Sequence, residues 1–98
     1  MSNRSFDWDD ANRKHLARHK ITPEEAEEVF SRFYAERTQE PVKGEPRYQA
    51  LGTTAKGRPL TIAYTERDKN IRPITGWDMK REELEFYVEE LYRQTTEI

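Results

Sequence analysis

The sequence of 98 residues contains no cysteine. This absence excludes disulfide bonds, thiolate metal ligands and a cysteine nucleophile. Long apolar segments are also missing, because the longest apolar-leaning stretch, residues 60–64, has only the length of a strand and cannot cross a membrane. The first residues lead straight into Phe6 and Trp8 without an apolar signal segment. We therefore expect a soluble, cytoplasmic protein with no membrane partner.

Apolar residues are scarce in this chain. Hydrophobic residues make up 34% and charged residues 37%, which is near the polar edge of the range for globular domains. The apolar residues are nevertheless clustered and periodic, and they include two tryptophans, five tyrosines and four phenylalanines. We predict one folded domain over residues 1–98 with a small core, which a partner that covers apolar surface would stabilise.

Charge is distributed unevenly along the chain. The net charge of −2 does not favour nucleic-acid binding. Residues 43–77, however, carry seven cationic and three anionic side chains, while the remainder of the chain is acidic. This basic middle segment predicts one cationic face on the protein. The alternative is a solvated sheet edge whose charges prevent aggregation.

Local signals predict three helices. The first is expected to begin after Asp7 or Asp9, both good N-caps, and to end near His19. The second is predicted from the capping-box sequence TPEE at residues 22–25, which places proline at the first helical position. The third should begin near Asp78 and carry apolar residues at helical spacing. These apolar residues are Leu84, Tyr87, Val88, Leu91 and Tyr92.

Between the second and third helices the periodicity becomes that of strands. The predicted strands cover residues 34–38, 47–54, 59–66 and 71–76. A turn-rich stretch at 39–46 and tight turns at 56–57 and 68–70 would join them into an antiparallel meander. We predict an α+β fold with two N-terminal helices, a three- to four-stranded antiparallel sheet and a C-terminal helix. The helices should cover one face of the sheet and leave the other partly free.

Three stretches of sequence form an ordered set that covers nearly the whole chain. They are FDWD at 6–9 with Asn12, HLARHKI at 15–21 and EEAEEVF at 24–30; RYQALG at 47–52 with GRPLTIAYTE at 57–66; and IRPITG at 71–76 with Asp78, Met79, Arg81, Glu82 and Tyr87. This set, at this spacing, resembles the BrnT family of ribonuclease toxins from bacterial toxin–antitoxin pairs. Trp77 stands where that family commonly carries an arginine, and the sequence pI near 5.7 is lower than is common in the family.

The resemblance implies a RelE-like fold and a toxin that cleaves RNA without a metal or an organic cofactor. It also implies a cognate antitoxin, BrnA-like and of the ribbon–helix–helix type, that wraps the toxin and blocks it. Operator DNA would be bound only through this antitoxin, and the pair would repress its own operon.

Cleavage of RNA without metal needs a base for the 2′-hydroxyl proton, a cation for the phosphate and an acid for the leaving oxygen. Arginine suits the phosphate because its planar fork donates two parallel hydrogen bonds. Arg72 is the predicted catalytic cation, since it lies in a predicted strand at a position where the family usually has arginine; a salt bridge with Glu66 is the structural alternative. The predicted RNA-binding residues are Arg47, Arg58, Arg67 and Tyr48.

The general base is one of four candidates, which are His15, His19, Glu45 and Glu66. Of these, His19 and Glu66 are named as catalytic residues beside Arg72, together with Tyr64, whose phenol can donate a proton. The two histidines lie four residues apart on one helix and would otherwise pack at a helix–sheet junction. Their spacing also suits zinc, but no third ligand is visible, so no metal site is predicted.

The leading functional hypothesis is an endoribonuclease toxin neutralised by a protein antitoxin. The alternative is a catalytically weakened member of the same family that acts as antitoxin partner and corepressor, which Trp77 and the acidic balance favour. A plain RNA-binding domain is a third hypothesis, supported by the arginine-rich middle segment. A gene for a small DNA-binding protein beside this one would favour the first two hypotheses over the third.

Overall fold

The computed structural model describes residues 5–96, which contain three helices and four strands. In chain order these are α1 (Asp10–Ala17), α2 (Pro23–Phe30), β1 (Ala35–Val42), β2 (Glu45–Thr53), β3 (Pro59–Arg67), β4 (Asn70–Asp78) and α3 (Arg81–Thr96). The strands form one antiparallel sheet in the order β1-β2-β3-β4. The predicted α+β fold, with its order of helices and strands, is confirmed. No helix within this range is long and apolar enough to span a membrane.

Both N-terminal helices begin at capping boxes. The Asp9 carboxylate accepts the backbone N–H of Asn12 at 3.0 Å, and the Asn12 side chain accepts the N–H of Asp9 at 2.8 Å. Thr22 and Glu25 form the same reciprocal pair at the start of α2. Each box satisfies N–H groups for which the helix has no internal partner. The predicted starts of both helices are therefore confirmed.

α1 is shorter than the sequence pattern predicts. It ends at Ala17, whereas the end was expected near His19. Lys20 adopts a left-handed backbone conformation with φ of 58°, and the N–H of Ile21 then donates to the carbonyl of Leu16 at 3.1 Å. This contact closes the last turn and directs the chain into α2.

β1 is longer than predicted and replaces most of the turn-rich stretch at 39–46. It continues to Val42, and the connection to β2 is only the two residues Lys43 and Gly44, with φ values of 51° and 80°. Such positive φ values at both central residues are the signature of a tight hairpin turn. The pairing register shifts between Gln39 and Val42, which accommodates a proline that cannot donate to the strand ladder.

The helices lie on both faces of the sheet, so the prediction that they cover a single face was wrong. Neighbouring residues of a strand point to opposite sides. Ala50 packs in the main core with Leu16 of α1 and Val29 of α2, whereas Leu51 packs in a second cluster with Tyr87 of α3. Four successive residues of β2, 49–52, are buried, which is typical of a strand covered on both sides. We call the two sides the helix-pair face and the α3 face.

The start of α3 is fastened to the sheet through a buried glutamate. Glu83 is only 4% exposed. Its carboxylate accepts hydrogen bonds from the Thr61 hydroxyl at 3.0 Å, the Trp77 indole at 3.0 Å and the backbone N–H of Lys80 at 2.8 Å. A buried carboxylate with several donors is well compensated for the loss of water. Trp77 therefore has a defined structural task, which is to anchor α3.

This anchor sets the rotation of α3 and divides its apolar residues between the sheet and the solvent. Tyr87, one turn after Glu83, is buried at 8% exposure, whereas Leu84, Val88 and Tyr92 are 40%, 51% and 70% exposed. Leu84 and Val88 come one residue after the buried Glu83 and Tyr87. One residue corresponds to a rotation of about 100° around the helix. The helical spacing was predicted correctly, and the structure adds which side of the helix faces the sheet.

Candidate active site

The part of the α3 face that α3 leaves uncovered carries three arginines from three neighbouring strands. Arg47 of β2 and Arg67 of β3 share this face because they lie an even number of residues from Leu51 and Thr61. Arg72 of β4 pairs with Thr65 of β3 and joins them. These side chains are 21%, 47% and 11% exposed, respectively.

A β-bulge places Arg72 on this face. The strand register shifts between Ala63 and Tyr64, which pair with Thr75 and Pro73, so that one residue of β4, Ile74, has no partner. Side-chain alternation alone left the direction of Arg72 open, because an extra residue reverses every side chain beyond it.

Glu45 lies among the three arginines. Its carboxylate accepts from Arg67 Nε at 2.8 Å and from Arg47 Nη2 at 3.4 Å. The hydrogen bond from Arg67 lowers the pKa of Glu45 below its ordinary value of 4.5, and the neighbouring guanidinium charges act in the same direction. Glu45 is therefore ionised at neutral pH. We call Glu45, Arg47, Arg67 and Arg72 the arginine–glutamate cluster.

Arg72 is held from outside this cluster by two carboxylates of the N-terminal segment. Its Nη2 donates to Asp9 at 2.9 Å, and its Nη1 lies 3.5 Å from Asp7. The structural alternative of a salt bridge with Glu66 was wrong, because Glu66 pairs with Ile71 and so points to the helix-pair face. Within residues 5–96, the buried Nε atoms of Arg47 and Arg72 have no hydrogen-bond partner.

The two predicted tyrosines lie on the side of the sheet opposite to the cluster. Tyr64 is 1% exposed in the main core, and its hydroxyl donates to the carboxylate of Glu36. Tyr48 packs beside it, with ring centroids 5.5 Å apart. The structure therefore does not bring Tyr48, Tyr64 or Glu66 together with Arg72.

Arg58 and His19 belong to a separate group at the other end of the sheet. Arg58 bonds Asp78 at 2.8 Å, Glu25 at 3.3 Å and the backbone carbonyl of His19 at 3.1 Å. Asp78 lies six positions after Arg72 in β4, which is roughly 20 Å of strand. This group ties the α1–α2 connection to the ends of β3 and β4, and it cannot act on a phosphate bound near Arg72.

The histidines are not packed as the sequence pattern suggested. His15 and His19 are both exposed, so the prediction that they pack at a helix–sheet junction was wrong; α1 buries Asn12 and Leu16 instead. In the described part of the chain, no three histidine or acidic side chains form a group that could hold a metal ion.

Sequence reasoning named the three arginines but did not choose Glu45 over Glu66. The signal was present, because Glu45 and Arg47 are two residues apart and must share a face if both lie in one strand. The predicted strand began at residue 47, whereas β2 begins at Glu45. Glu45 was therefore missed because the predicted strand began two residues too late.

The cluster combines three guanidinium groups, which suit the negative charge of phosphate, with one ionised carboxylate, which can accept a proton. Fold and site thus define a small α+β domain with a half-covered sheet face suited to a phosphodiester backbone. A family model described as "Ribonuclease toxin, BrnT, of type II toxin-antitoxin system" matches residues 8–83. The chain belongs to this BrnT family of ribonuclease toxins. A search of curated proteins found no match.

Proposed function

We propose that this protein is the toxin of a type II toxin–antitoxin pair and cleaves RNA at the arginine–glutamate cluster without a metal ion. The observation that carries the proposal is the convergence of Arg47, Arg67 and Arg72 around the ionised Glu45. Family membership supports the ribonuclease class. All four residues of the cluster lie inside the matched range.

Glu45 is proposed as the general base. It takes the proton from the 2′-hydroxyl, and the 2′-oxygen attacks the adjacent phosphorus. The bond to the 5′-oxygen breaks and that oxygen takes a proton from water, which leaves a 2′,3′-cyclic phosphate on one product and a 5′-hydroxyl on the other, while Glu45 returns its proton to the solvent. No redox step or external nucleophile is needed. Detection of these two product ends would therefore identify attack by the 2′-oxygen.

The three arginines are proposed to bind and stabilise the phosphate. Negative charge builds on its oxygens as the 2′-oxygen attacks, and donors that are already in place stabilise that charge. Arg67 is the most exposed of the three, at 47%, and suits the first contact with RNA. Arg72, at 11%, suits a contact made only when the phosphate is seated. Arg58 and His19 have no catalytic part in this proposal.

A cognate antitoxin is the proposed protein partner. We expect an acidic or amphipathic segment of it to cover the arginine–glutamate cluster and exclude RNA, while its own DNA-binding part contacts operator DNA. Because exposed ion pairs are screened by salt, binding should weaken as ionic strength rises. An antitoxin that docks on the acidic α2 without salt dependence would contradict this mode of inhibition.

Regulated expression in bacteria tests the proposed function. Expression of the chain alone should arrest growth and fragment cellular RNA, and co-expression with the adjacent antitoxin gene should restore growth. Glu45→Gln expressed to the same soluble level is the control that should permit growth. Normal growth and intact RNA with soluble parent protein would contradict the toxin assignment.

One observation favours a second candidate, a weakened nuclease that serves as antitoxin partner and corepressor. A carboxylate whose pKa is lowered is fully ionised at neutral pH but is a weak proton acceptor. In addition, Trp77 anchors α3 through Glu83 and presents no guanidinium group at its position. The same expression experiment separates the candidates, because a corepressor binds the antitoxin without harming the cell.

A further inference from the structure

The carboxylate of Asp9 makes two contacts that link the start of α1 to Arg72. Oδ1 accepts the backbone N–H of Asn12 at 3.0 Å and caps the helix. Oδ2 accepts a hydrogen bond from Nη2 of Arg72 at 2.9 Å. The bond from the Asn12 backbone is the main cause that lowers the pKa of Asp9, and Arg72 acts in the same direction. The helix therefore fixes the orientation of a carboxylate that in turn contacts the guanidinium.

Asn12 supports this arrangement from the core. Its side chain is buried, and Nδ2 donates at 2.9 Å both to the carbonyl of Asp7 and to that of Pro73, the residue after Arg72. The backbone N–H of Asp7 donates at 2.8 Å to the carbonyl of Ile71, the residue before Arg72. The backbone on both sides of Arg72 is thus tied to the segment that supplies its carboxylate partners.

The carboxylates contact Arg72 from the outer side of β4. The N-terminal segment runs beside β4 through a parallel bridge to Ile71, whereas β3 and β2, which carry Arg67 and Glu45, lie on the inner side. The contacts of Asp7 and Asp9 engage only the two Nη atoms of a group with five N–H donors. Three of the five N–H donors of Arg72 are therefore not engaged by these two carboxylates.

We propose that Asp9 is a positioning residue for Arg72, which it holds in the orientation that meets a phosphate bound beside Glu45 and Arg67. This inference rests on the proposed function of the arginine–glutamate cluster. Asp9 does not touch RNA in this account and acts only through the guanidinium. Such positioning matters because a displacement of about 1 Å at a reacting group can cost on the order of 100-fold in rate.

Asp9→Ser separates the two tasks of this residue. Serine is an equally good N-cap, but its hydroxyl is too short to reach Arg72. We expect kcat for cleavage of a short RNA to fall about 10-fold or more with KM nearly unchanged, while the melting temperature stays close to that of the parent. Asp10→Ser is the matched control, because it removes a carboxylate from the first turn of the same helix without a contact to Arg72.

A double variant supplies the readout that a purely structural role would not move. If Asp9 acts through Arg72, then Asp9→Ser has no further effect on cleavage in an Arg72→Ala background. Equal fold-losses in both backgrounds would overturn the proposal. Faster cleavage or tighter RNA binding by the single variant Asp9→Ser would also overturn it, because Asp9 would then compete with phosphate for Arg72.

The Nε–H signal of Arg72 in the NMR spectrum of the labelled full-length protein reports its positioning without reference to activity. We expect slow exchange of this proton in the parent and faster exchange in Asp9→Ser. If parent and variant cleave RNA equally well and the signal is unchanged, the positioning role of Asp9 is refuted while the ribonuclease assignment stands. If the signal responds but the soluble parent cleaves no RNA, the ribonuclease assignment fails, and the catalytic purpose of the positioning fails with it.

Discussion

Arg72 and Arg58 are ion-paired arginines of the same sheet with different surroundings. Arg72 lies beside Arg67 and Glu45, and the carboxylates of Asp7 and Asp9 contact only its two Nη atoms. Arg58 uses its guanidinium on Asp78, Glu25 and two backbone carbonyls. Charge and residue type are identical, so only the location separates the arginine that we propose as catalytic from the one that we assign to structure.

Arg72→Ala should lower the cleavage rate by roughly 100-fold or more, since the loss of one transition-state donor costs about 3 kcal/mol. Arg72→Lys should recover little, because an ammonium group cannot reproduce two parallel hydrogen bonds. Initial cleavage rates and melting temperatures measured on the same preparations test this prediction. Arg72→Ala that is as stable and as active as the parent would remove Arg72 from the mechanism.

Arg58→Ala is the matched control for this experiment. It should lower the melting temperature, because it releases the α1–α2 connection from β3 and β4, yet folded protein should cleave RNA at the parental rate. An equal loss of cleavage in both variants, at equal folded fraction, would mean that the assay reports stability and not chemistry.

The residue types of the site could be predicted from the sequence, but their convergence could not. Arginine chemistry singled out Arg47, Arg67 and Arg72 without a structure. Arg72 shares a face with the other two because of the bulge at Ile74, and no local sequence pattern indicates this bulge. Arg58 was grouped with them because sequence distance does not reveal which end of an antiparallel strand a residue occupies.

At the level of elements, α3 shows how an anchor selects one side of an amphipathic helix. Glu83 binds groups of β3 and β4, so Tyr87 faces the sheet and Val88 faces solvent. Spacing alone assigns both residues to one apolar stripe. The choice between adjacent sides depends on contacts distant in sequence, which is why the sequence left it undetermined.

Tyr87→Ala should destabilise the protein by on the order of 3 kcal/mol, because it removes a buried ring from the second core cluster. Val88→Glu should change the stability by no more than about 0.5 kcal/mol, since this side chain is 51% exposed. Chemical or thermal denaturation of both variants measures the difference. Strong destabilisation by Val88→Glu would contradict the rotation of α3.

Elements with local signals were predicted well. The capping boxes at Asp9 and Thr22 bond residues only three positions away, so the sequence contains all that they need. The strands were also found, because their alternation is local. The placement of α3 on the sheet face opposite to α1 and α2 was missed. Both faces of the sheet are apolar, and the sequence does not show which of them each helix covers.

At the scale of the whole molecule, three carboxylates with lowered pKa values should make the free energy of unfolding decrease in acid. Arg58 lowers the pKa of Asp78, Arg67 that of Glu45, and the α1 cap that of Asp9, from ordinary values of 3.8, 4.5 and 3.8. Groups with a lowered pKa in the folded state stabilise it above the unfolded pKa, and this contribution is lost as pH falls through the folded pKa. Their contribution should therefore be constant near neutral pH and decline below these ordinary values.

Melting temperatures measured from pH 7 down to pH 3 test this dependence. The double variant Asp9→Asn, Asp78→Asn keeps the shape of both side chains but cannot titrate there, so it should lose less stability on acidification than the parent. A double variant with an acid-induced loss as large as that of the parent would contradict the assignment of these groups.

The overall charge of −2 combines an arginine-rich middle segment with acidic helices that flank it in sequence. The prediction of one cationic face stays a prediction, since Glu45, Asp7 and Asp9 lie against the three arginines of the cluster, and α2 and α3 account for much of the negative charge of the chain. The sign of the local surface, and not the net charge, is what RNA would meet.

Cleavage of a single-stranded RNA by the purified protein in EDTA decides whether Glu45 acts as the base of a metal-independent ribonuclease, with Glu45→Gln and Glu66→Gln compared at equal folded concentration. The two variants remove the same charge from opposite faces of the sheet. We expect products with 2′,3′-cyclic phosphate and 5′-hydroxyl ends from the parent and Glu66→Gln, and a rate at least about 100-fold lower for Glu45→Gln. Parental activity in Glu45→Gln, or a parent that cleaves only when metal is added, would contradict it.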